Sequence, residues 1–283
     1  VPLVRWNAWW FSMNDDDADG LVQYNHPYSS GLDDSPLWEY GMPVESPDLN
    51  TYLCVQMGSL AMIAEALGME AEGAMWRRRA AAIVRRMIED FWDPEAGLFR
   101  AMHEDEPVPV STPFNLYPLW TGQLPNEISE RLIAHLLSAS EFWGEHVIPS
   151  VARDDPHFDP ETMWRGPVWV NINYIFVEAL RQIGEHALAE TLREWTLQLI
   201  MEHSGIYEYY HAEYNMGASG AESLKLRDVH EAVFEDRLGN QGKVQKGQIA
   251  GRDAQIRHPW ETRGQTEKLR NELQKFSGLY NSG

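Results

Sequence analysis

Apolar residues recur at three- and four-residue spacing along most of the first 200 or so positions, a pattern that predicts amphipathic helices. The clearest helix covers 49–67, where Ser46 and Asp48 offer N-cap chemistry, Pro47 suits the first turn and Gly68 follows the end. The same spacing predicts further helices over 5–14, 70–92, 126–139, 171–184 and 187–203. Short strands are predicted between helices, at 98–100 and 205–207. Successive helix pairs favour an all-α fold, an α/α toroid whose helices alternate between an inner and an outer ring.

The composition of the chain changes near residue 222. Residues 223–283 carry 11 Lys and Arg against 8 Asp and Glu, whereas the whole chain carries 23 against 43. Of the 12 tryptophans only Trp260 follows the break, and the tail has little apolar periodicity beyond a short helix predicted at 266–276. We therefore expect a helical domain over 1–222 and an atypical, weakly structured tail over 223–283.

The formal net charge of −20 argues against partners that are themselves strongly negative. A chain this acidic is poorly suited to nucleic-acid phosphates or anionic lipid, so we expect no nucleic-acid and no membrane partner. One cysteine, Cys54, excludes an intrachain disulfide and a cysteine-based zinc site. We find no apolar run of about 18 residues and no signal peptide, and we expect a cytoplasmic protein. A start at Val1-Pro2, without methionine, is expected of a processed or truncated end.

The aromatic content points towards carbohydrate. The chain holds 12 Trp and 11 Tyr in 283 residues. Each of these side chains joins a large apolar face to a polar tip, and sugars offer C–H faces that stack on rings together with hydroxyls that take hydrogen bonds. For any single tryptophan, a place in a Trp-rich core is an equally good interpretation.

Segment 15–38 is the first that offers chemistry, because it combines several Asp residues with aromatic side chains in a loop. Its acidic start, Asp15–Asp19, invites a calcium interpretation, but the spacing does not fit an EF-hand and a solvated acidic turn is favoured. Asp33 and Asp34 lie side by side in a Gly/Ser turn. An Asp in such a turn commonly caps its own backbone, so composition alone leaves a catalytic role for Asp33 open.

Two later segments complete the candidate chemistry. In 161–174, Trp164, Arg165 and Trp169 form an aromatic and cationic cluster at the start of a helix. Arg165 could fork two hydrogen bonds to a carboxylate or to sugar hydroxyls, or could equally hold the loop through backbone carbonyls. In 205–220, Glu208 stands among tyrosines, where its ionised form could be held by their hydroxyls. The alternative is a strand with Glu208 on its solvated face.

Taken together, the three segments resemble the inverting α-glycoside hydrolases with an (α/α)6 barrel. The resemblance is closest to glycoside hydrolase family 63 and its mannosylglycerate and glucosylglycerate hydrolase-like group, with trehalase more distant, and it covers about residues 1–220. It rests on the Ser-Gly-x-Asp-x-Ser loop at 30–38 with the turn at 48–50, on the substrate-lining motifs at 148–156, 164–169 and 173–174, and on the base segment at 207–209.

The resemblance implies hydrolysis of an α-glycosidic bond with inversion, by a partial (α/α)6 catalytic domain. Asp33 would be the general acid and Glu208 the general base. No cofactor and no metal would be needed, and the substrate would be a small carbohydrate, either an oligosaccharide or a glycosylated small acid. The residues implied to bind substrate are Tyr24, His26, Trp38, Trp164, Arg165, Trp169 and Tyr207.

The sequence departs from the family pattern at both ends. In the family several barrel helices precede the acid-bearing loop, yet Asp33 lies 32 residues from the start. After the base, the helix that closes the family's barrel is not recognisable beyond residues 217–220. We therefore expect a gene fragment with an unclosed toroid, whose exposed apolar faces would favour self-association, although the sequence does not define an oligomeric state.

Two alternative functions stay open. The first is a sugar epimerase on the same toroid, with histidine bases drawn from His26, His103, His203 and His211. The second is a non-catalytic fragment that only binds carbohydrate.

Overall fold

α-Helices carry most of the regular structure in the computed structural model, which describes residues 2–144, 146–202 and 207–213. The α-helices in these residues are α1 (Pro2–Met13), α2 (Pro47–Ala66), α3 (Glu70–Asp90), α4 (Asn126–Leu136), α5 (Val170–Gln182) and α6 (His186–Glu202). Three 3-10 helices accompany them, at Pro27–Ser29, Pro36–Tyr40 and Pro113–Thr121. Each helix predicted from apolar spacing before residue 203 is confirmed, with ends shifted by up to three residues.

The strands are two residues long and lie in the connections between helices. They are β1 (Gln23–Tyr24), β2 (Val44–Glu45), β3 (Trp92–Asp93), β4 (Leu98–Phe99), β5 (Met102–His103), β6 (Glu106–Pro107), β7 (Val168–Trp169) and β8 (Tyr209–Tyr210). An antiparallel sheet with the order β1-β2-β5-β6 pairs Tyr24 with Val44, and Glu45 with both Gln23 and Met102. The pairs β3-β4 and β7-β8 are separate antiparallel ribbons.

Glycine turns join the helices into pairs. Gly68 has φ +75° between α2 and α3, and Gly184 has φ +87° between α5 and α6. Glycine takes this left-handed conformation without the steric cost that a Cβ atom adds, so each helix can stop and reverse within a few residues. Gly68, which follows the predicted helix 49–67, therefore marked the end of that helix correctly.

The packing of the helices follows an inner and an outer row. α1, α2, the 3-10 helix Pro113–Thr121 and α5 contact one another in that order. α3 packs on α2, α4 on the 3-10 helix and α6 on α5, each forming an outer partner. This alternation is the arrangement of an α/α toroid, and it confirms the predicted fold class in the described residues.

The core lies between the two rows. Its largest fully buried side chains include Met57 from α2, Met87 from α3, Tyr117 from the 3-10 helix and Phe176 from α5. Burying each such side chain contributes about 1.5–3 kcal/mol. Four arginines of α3 are exposed: Arg77, Arg78, Arg79 and Arg85.

All described residues belong to one compact unit. The predicted boundary at residues 222–223 and the helix predicted at 266–276 lie outside them. None of the helices within residues 2–144, 146–202 and 207–213 combines the length and apolar character needed to cross a bilayer.

Candidate functional site

Local hydrogen bonds shape the segment at residues 25–40, which we call the acid loop because it carries the predicted general acid. His26 caps the 3-10 helix Pro27–Ser29, since its Nδ1 accepts the backbone N–H of Tyr28 at 3.2 Å. Gly31 then takes φ +75°, which lets the chain turn outward. The imidazole of His26, predicted to bind substrate, thus also holds the start of this loop.

Asp33 and Asp34 occupy the two corners of a tight turn. The N–H of Ser35 donates to the carbonyl oxygen of Leu32 at 3.0 Å, and the indole Nε1 of Trp38 donates to the same oxygen at 2.6 Å. The turn exposes Asp33 to solvent, while Asp34 is half-buried. A carboxylate presented at the corner of a braced turn is well placed to reach a bound molecule.

A buried polar group supports the ring of Trp38 from below. Tyr24 meets Trp38 edge to face, with ring centroids 5.7 Å apart, and its hydroxyl donates to Asp48 Oδ2 at 2.9 Å. The hydroxyl of Ser46 donates to the other oxygen of Asp48. Burial raises the pKa of Asp48, while these two donors act in the opposite direction. Burial and the nearby Asp48 carboxylate together raise the pKa of Tyr24 well above its usual value, so its hydroxyl keeps its proton.

Residues 159–169 form a second side of the site, which we call the aromatic wall. Trp164 and Trp169 stack face to face, with centroids 3.6 Å apart and planes 5° apart. Nε1 of Trp169 donates to the carbonyl oxygen of Met163 at 2.8 Å, which fixes the ring. A Cβ atom on Gly166 would stand 2.7 Å from the carbonyl oxygen of Asp159, so only glycine lets the wall fold back on itself. Both indoles are therefore rigid and largely buried.

The base segment, residues 207–213, pairs with the aromatic wall. β8 runs antiparallel to β7, so that Tyr209 lies opposite Trp169 with ring centroids 5.0 Å apart. Glu208 comes directly before this strand and is exposed to solvent. Tyr207 is half-exposed, and its N–H donates to the hydroxyl of Tyr210 at 3.1 Å. Tyr207, the last residue of the strand predicted at 205–207, lies before β8, and residues 205–206 lie outside the described part of the chain.

Further polar contacts hold the base segment in place. Nε2 of His211 lies 3.0 Å from a carboxylate oxygen of Glu161 in the aromatic wall. The guanidinium of Arg153 donates to the carbonyl oxygens of His146 and Ala212. Burial lowers the pKa of Arg153 to about 10, which leaves it charged at neutral pH.

The acid loop and the aromatic wall contact each other through side chains far apart in sequence. Asp34 Oδ1 accepts the backbone N–H of Trp164 at 2.9 Å. Arg165 forms an ion pair with Glu39 at 2.5 Å. Since β7 belongs to the wall, the segments of Asp33 and Glu208 are attached to one aromatic stack.

A third contact joins the acid loop to residues just before the wall. The hydroxyl of Tyr40 lies 3.4 Å from Nε2 of His157, whose Nδ1 lies 2.8 Å from Asp155 Oδ1. The other carboxylate oxygen of Asp155 accepts the N–H of Ser111 at 2.7 Å. Asp155 is buried, so this relay rests on an anchored carboxylate.

The histidines of the alternative epimerase hypothesis lie in separate local contacts. His26 caps a 3-10 helix, His103 Nδ1 lies 2.8 Å from the carbonyl oxygen of Pro43, and His211 contacts Glu161. His203 lies outside the described residues. The three described imidazoles each have a structural role in the connections.

A cavity of about 240 Å³ opens beside the acid loop, between α1 and α2. It is lined by Trp6, Trp10, Tyr24, Ser29, Ser30, Leu49, Tyr52, Leu53 and Gln56. Tyr24 is the one predicted substrate-binding residue in this lining, and its ring is buried beneath the surface.

The acidic start of the first segment forms a surface cluster. Carboxylate oxygens of Asp15, Asp17 and Asp19 lie within 4.8 Å of one another, and Arg86 pairs with Asp19 at 2.6 Å. Glu45 lies nearby, and its burial together with these carboxylates raises its pKa to about 7. The positive charge of Arg86 partly offsets the mutual repulsion of these carboxylates. None of the contacts described above joins this acidic cluster to the aromatic wall.

Three residues that join the two sides of the site were assigned no role from the sequence. Asp34, Glu39 and His157 gain their importance from partners 117 to 130 residues away. The sequence offered one indication: Asp34 is next to Asp33, the predicted acid, and Glu39 is next to Trp38.

The described helices are similar to those of known α/α-toroid glycoside hydrolases. A mannosylglycerate hydrolase from Thermus thermophilus is 28% identical, over 77% of this chain and 65% of its own length. The crystal structure of a GH63 mannosylglycerate hydrolase from Thermus thermophilus in complex with glucose is 27% identical, with a TM-score of 0.64, over 82% of this chain and 66% of that one. Neutral trehalase Nth1 from Saccharomyces cerevisiae shares the fold, at 17% identity and a TM-score of 0.52, over 69% of this chain and 40% of that one.

The family model of the mannosylglycerate hydrolase MGH1-like glycoside hydrolase domain matches residues 2–223. The chain belongs to this family, and the resemblance stated from the sequence motifs is confirmed. The chain spans slightly less than two thirds of the length of the curated Thermus relative.

Proposed function

We propose that this chain hydrolyses an α-glycosidic bond with inversion, with Asp33 as general acid and Glu208 as general base. The observation that carries the proposal is the shared aromatic wall: the turn of Asp33 bonds to Trp164, and the strand after Glu208 pairs with Trp169. Two carboxylates that lie 175 positions apart in the sequence are thereby attached to one stack of rings. Membership of a glycoside hydrolase family supports the reaction class.

The chemistry needs both carboxyl groups in different protonation states. Asp33, protonated, donates its proton to the glycosidic oxygen as the bond to the anomeric carbon breaks. Glu208, ionised, accepts a proton from a water whose oxygen attacks that carbon from the opposite face. The products are the free sugar with inverted configuration and the alcohol. Such a pair works at a carboxyl separation of roughly 6.5–9.5 Å, which leaves room for the water.

The substrate we propose is a small α-mannoside or α-glucoside whose aglycone is a glycerate or a short oligosaccharide. The names of the relatives include mannosylglycerate hydrolase, glucosylglycerate hydrolase and mannosyl-oligosaccharide glucosidase, and these define the set to be compared. The exposed ring faces of Tyr207 and Tyr209 would stack on the sugar, backed by the two buried indoles.

The other predicted binding residues take supporting or binding roles in this proposal. Trp38 would line the sugar side of the acid loop, with Tyr24 supporting its ring from beneath. Arg165, already paired with Glu39, would present its remaining N–H groups to sugar hydroxyls without adding net charge to the site. His26 would offer Nε2 to a hydroxyl while Nδ1 keeps its bond to the loop.

A leaving-group experiment separates the two carboxylate roles. The fluoride ion of an α-glycosyl fluoride leaves without being protonated, so this substrate does not need a general acid. Asp33→Asn should therefore lose about 10²–10⁴-fold in turnover of the natural glycoside and much less in turnover of the glycosyl fluoride. Glu208→Gln should lose turnover of both substrates, because both need an activated water. Asp90→Asn, which alters an exposed aspartate at the end of α3, is the matched control and should leave both rates unchanged.

Near-parental hydrolysis of the glycoside by Asp33→Asn or Glu208→Gln would reject the assignment. Sugar binding measured by calorimetry, without turnover of any substrate in the set, would favour the non-catalytic alternative. Interconversion of free sugars without cleavage of a linkage would instead favour the epimerase.

A further inference from the structure

The bond between Asp34 and the backbone of Trp164 carries a further inference. Asp34 Oδ1 accepts the Trp164 N–H at 2.9 Å, although the two residues lie 130 positions apart. The turn that presents Asp33 is the same turn that presents Asp34, since both lie between Leu32 and Ser35. Loss or lengthening of this bond would therefore let the whole turn move and would displace Asp33 with it.

The wall end of this bond is held by ring stacking and by a hydrogen bond. Trp164 stacks on Trp169 with planes 5° apart, and Trp169 is fixed through Nε1 to Met163. The following residue, Arg165, pairs with Glu39 on the far side of the acid loop. The acid loop is thus held to the wall at two places after Asp33, by a hydrogen bond before the second 3-10 helix and by an ion pair within it.

The Glu39–Arg165 ion pair and the Asp34–Trp164 hydrogen bond differ in how well each can fix the position of Asp33. Glu39 is exposed and lies several residues from Asp33, so solvent screens its ion pair with Arg165 and the pair contributes little. Asp34 is half-buried, adjacent to Asp33, and bonded to a backbone amide whose place is set by the ring stack. A side-chain oxygen that accepts a backbone N–H at 2.9 Å makes a short, directional hydrogen bond.

From this geometry we infer that Asp34 is a positioning residue, which fixes the direction of the Asp33 carboxyl by anchoring their shared turn to the Trp164 amide. The inference rests on the proposed function, because Asp33 is the group being positioned. Asp34 needs no contact with substrate for this role. Its geometry matters, and its negative charge does not.

Two conservative substitutions separate geometry from charge. Asp34→Asn keeps an oxygen acceptor at the same distance and removes the charge, so kcat should stay within about 3-fold of the parent. Asp34→Glu keeps the charge but moves the acceptor by one methylene, and Asp34→Ala removes the acceptor. Both should lower kcat by about 10²-fold with KM nearly unchanged, because misplacing a catalytic group by about 1 Å costs this much. Asp90→Ala on the full chain is the matched control.

A second readout follows the anchor itself without using activity. With ¹⁵N-labelled tryptophan in the full chain, hydrogen exchange of the Trp164 amide should accelerate at least 10-fold in Asp34→Ala and Asp34→Glu. The same amide should stay protected in Asp34→Asn and in the control. The pH profile of kcat in Asp34→Asn should match that of the parent.

Each outcome decides one of the two proposals. If the parent is active and Asp34→Glu keeps its rate while Asp34→Asn loses it with a shifted pH profile, Asp34 acts through its charge and the inference is wrong. Unchanged kcat and unchanged Trp164 exchange in Asp34→Ala would also overturn it. If the parent cleaves no glycoside and Trp164 exchange still follows the expected order, the anchor is supported and the hydrolase proposal is what fails.

Discussion

Single buried asparagines bind the connections to the inner helices. Asn50 in α2 accepts the N–H of Val22 and donates to its carbonyl oxygen, both at 2.9 Å. Asn173 in α5 accepts the N–H of Ile148 at 3.0 Å and donates to the carbonyl oxygen of Val147 at 2.7 Å. Asn115 does the same between Thr112 and Phe99. One amide side chain near the start of each of these three inner helices thus satisfies an extended segment that leads to the site.

Removal of the Asn173 amide should be costly. Asn173→Ala leaves the buried N–H of Ile148 and the buried carbonyl oxygen of Val147 without their partner. Each unsatisfied buried group costs about 1–3 kcal/mol, so the free energy of unfolding should fall by about 3 kcal/mol. Asn171→Ala, two residues away on the exposed side of α5, is the control and should change it by less than about 1 kcal/mol. Urea unfolding measures both, and equal small losses would show that Asn173 is not needed.

The Glu45 carboxyl predicts a pH dependence of stability. Burial and the surrounding Asp side chains raise its pKa to about 7, so the folded state holds a proton that the unfolded state releases at lower pH. Ionised Glu45 therefore destabilises the fold: the penalty is absent below about pH 4.5, grows between about pH 4.5 and 7, and is complete above that range. Glu45→Gln should match the parent at pH 4.5 and be more stable by about 2 kcal/mol at pH 8, a figure reduced for the solvent screening of a half-buried group.

Urea titrations at several pH values test this, with the exposed Glu106→Gln of β6, in the same sheet, as control. A stability difference between Glu45→Gln and the parent that does not change with pH would contradict the assignment of the raised pKa.

At the scale of elements, apolar periodicity predicted the α-helices well because each buries one face and exposes the other. It did not predict the 3-10 helix Pro113–Thr121, which is buried on nearly all sides and contains Pro118. An element that is apolar all round shows no periodicity, and its prolines read as breakers in the sequence. The two-residue strands are similarly set by contacts between distant connections, such as β7 with β8.

The backbone of the aromatic wall depends on Gly166. A methyl group there would stand 2.7 Å from the Asp159 carbonyl oxygen and 2.8 Å from Pro160 Cα, so Gly166→Ala must displace the backbone. We expect a loss of about 1–3 kcal/mol in stability and a weaker near-ultraviolet dichroism signal from the stacked indoles.

Gly58→Ala provides the matched comparison. Gly58 lies inside α2 with open space around its Cβ position, so alanine should raise the free energy of unfolding by about 0.5–1 kcal/mol. If Gly166→Ala behaved like Gly58→Ala, the wall would not depend on this close approach.

At the scale of the whole molecule, the toroid class and the glycoside hydrolase family could be predicted from motifs, while the arrangement of the site could not. Trp164, Arg165 and Trp169 were recognisable as one motif because they are close in sequence. Their links to Asp34 and Glu39 depend on a chain reversal through several helices, which periodicity does not define. The roles of Asp33 and Glu208 stay predictions from the family resemblance, supported by their attachment to one wall.

The whole-molecule charge also bears on the substrate. A net charge of −20 repels anions at long range, so a glycerate-bearing substrate would bind better as salt rises towards physiological strength. A neutral oligosaccharide would show no such dependence. Comparison of KM for both substrates at about 0.01 M and 0.15 M salt separates the two.

The most direct test of the account is the configuration of the first sugar released from an α-glycoside, followed by proton NMR before mutarotation. Inversion by Asp33 and Glu208 predicts that the β-anomer appears first, and that Asp33→Asn and Glu208→Gln abolish its appearance while the folded chain persists. First appearance of the α-anomer, or undiminished release by either variant, would contradict the account.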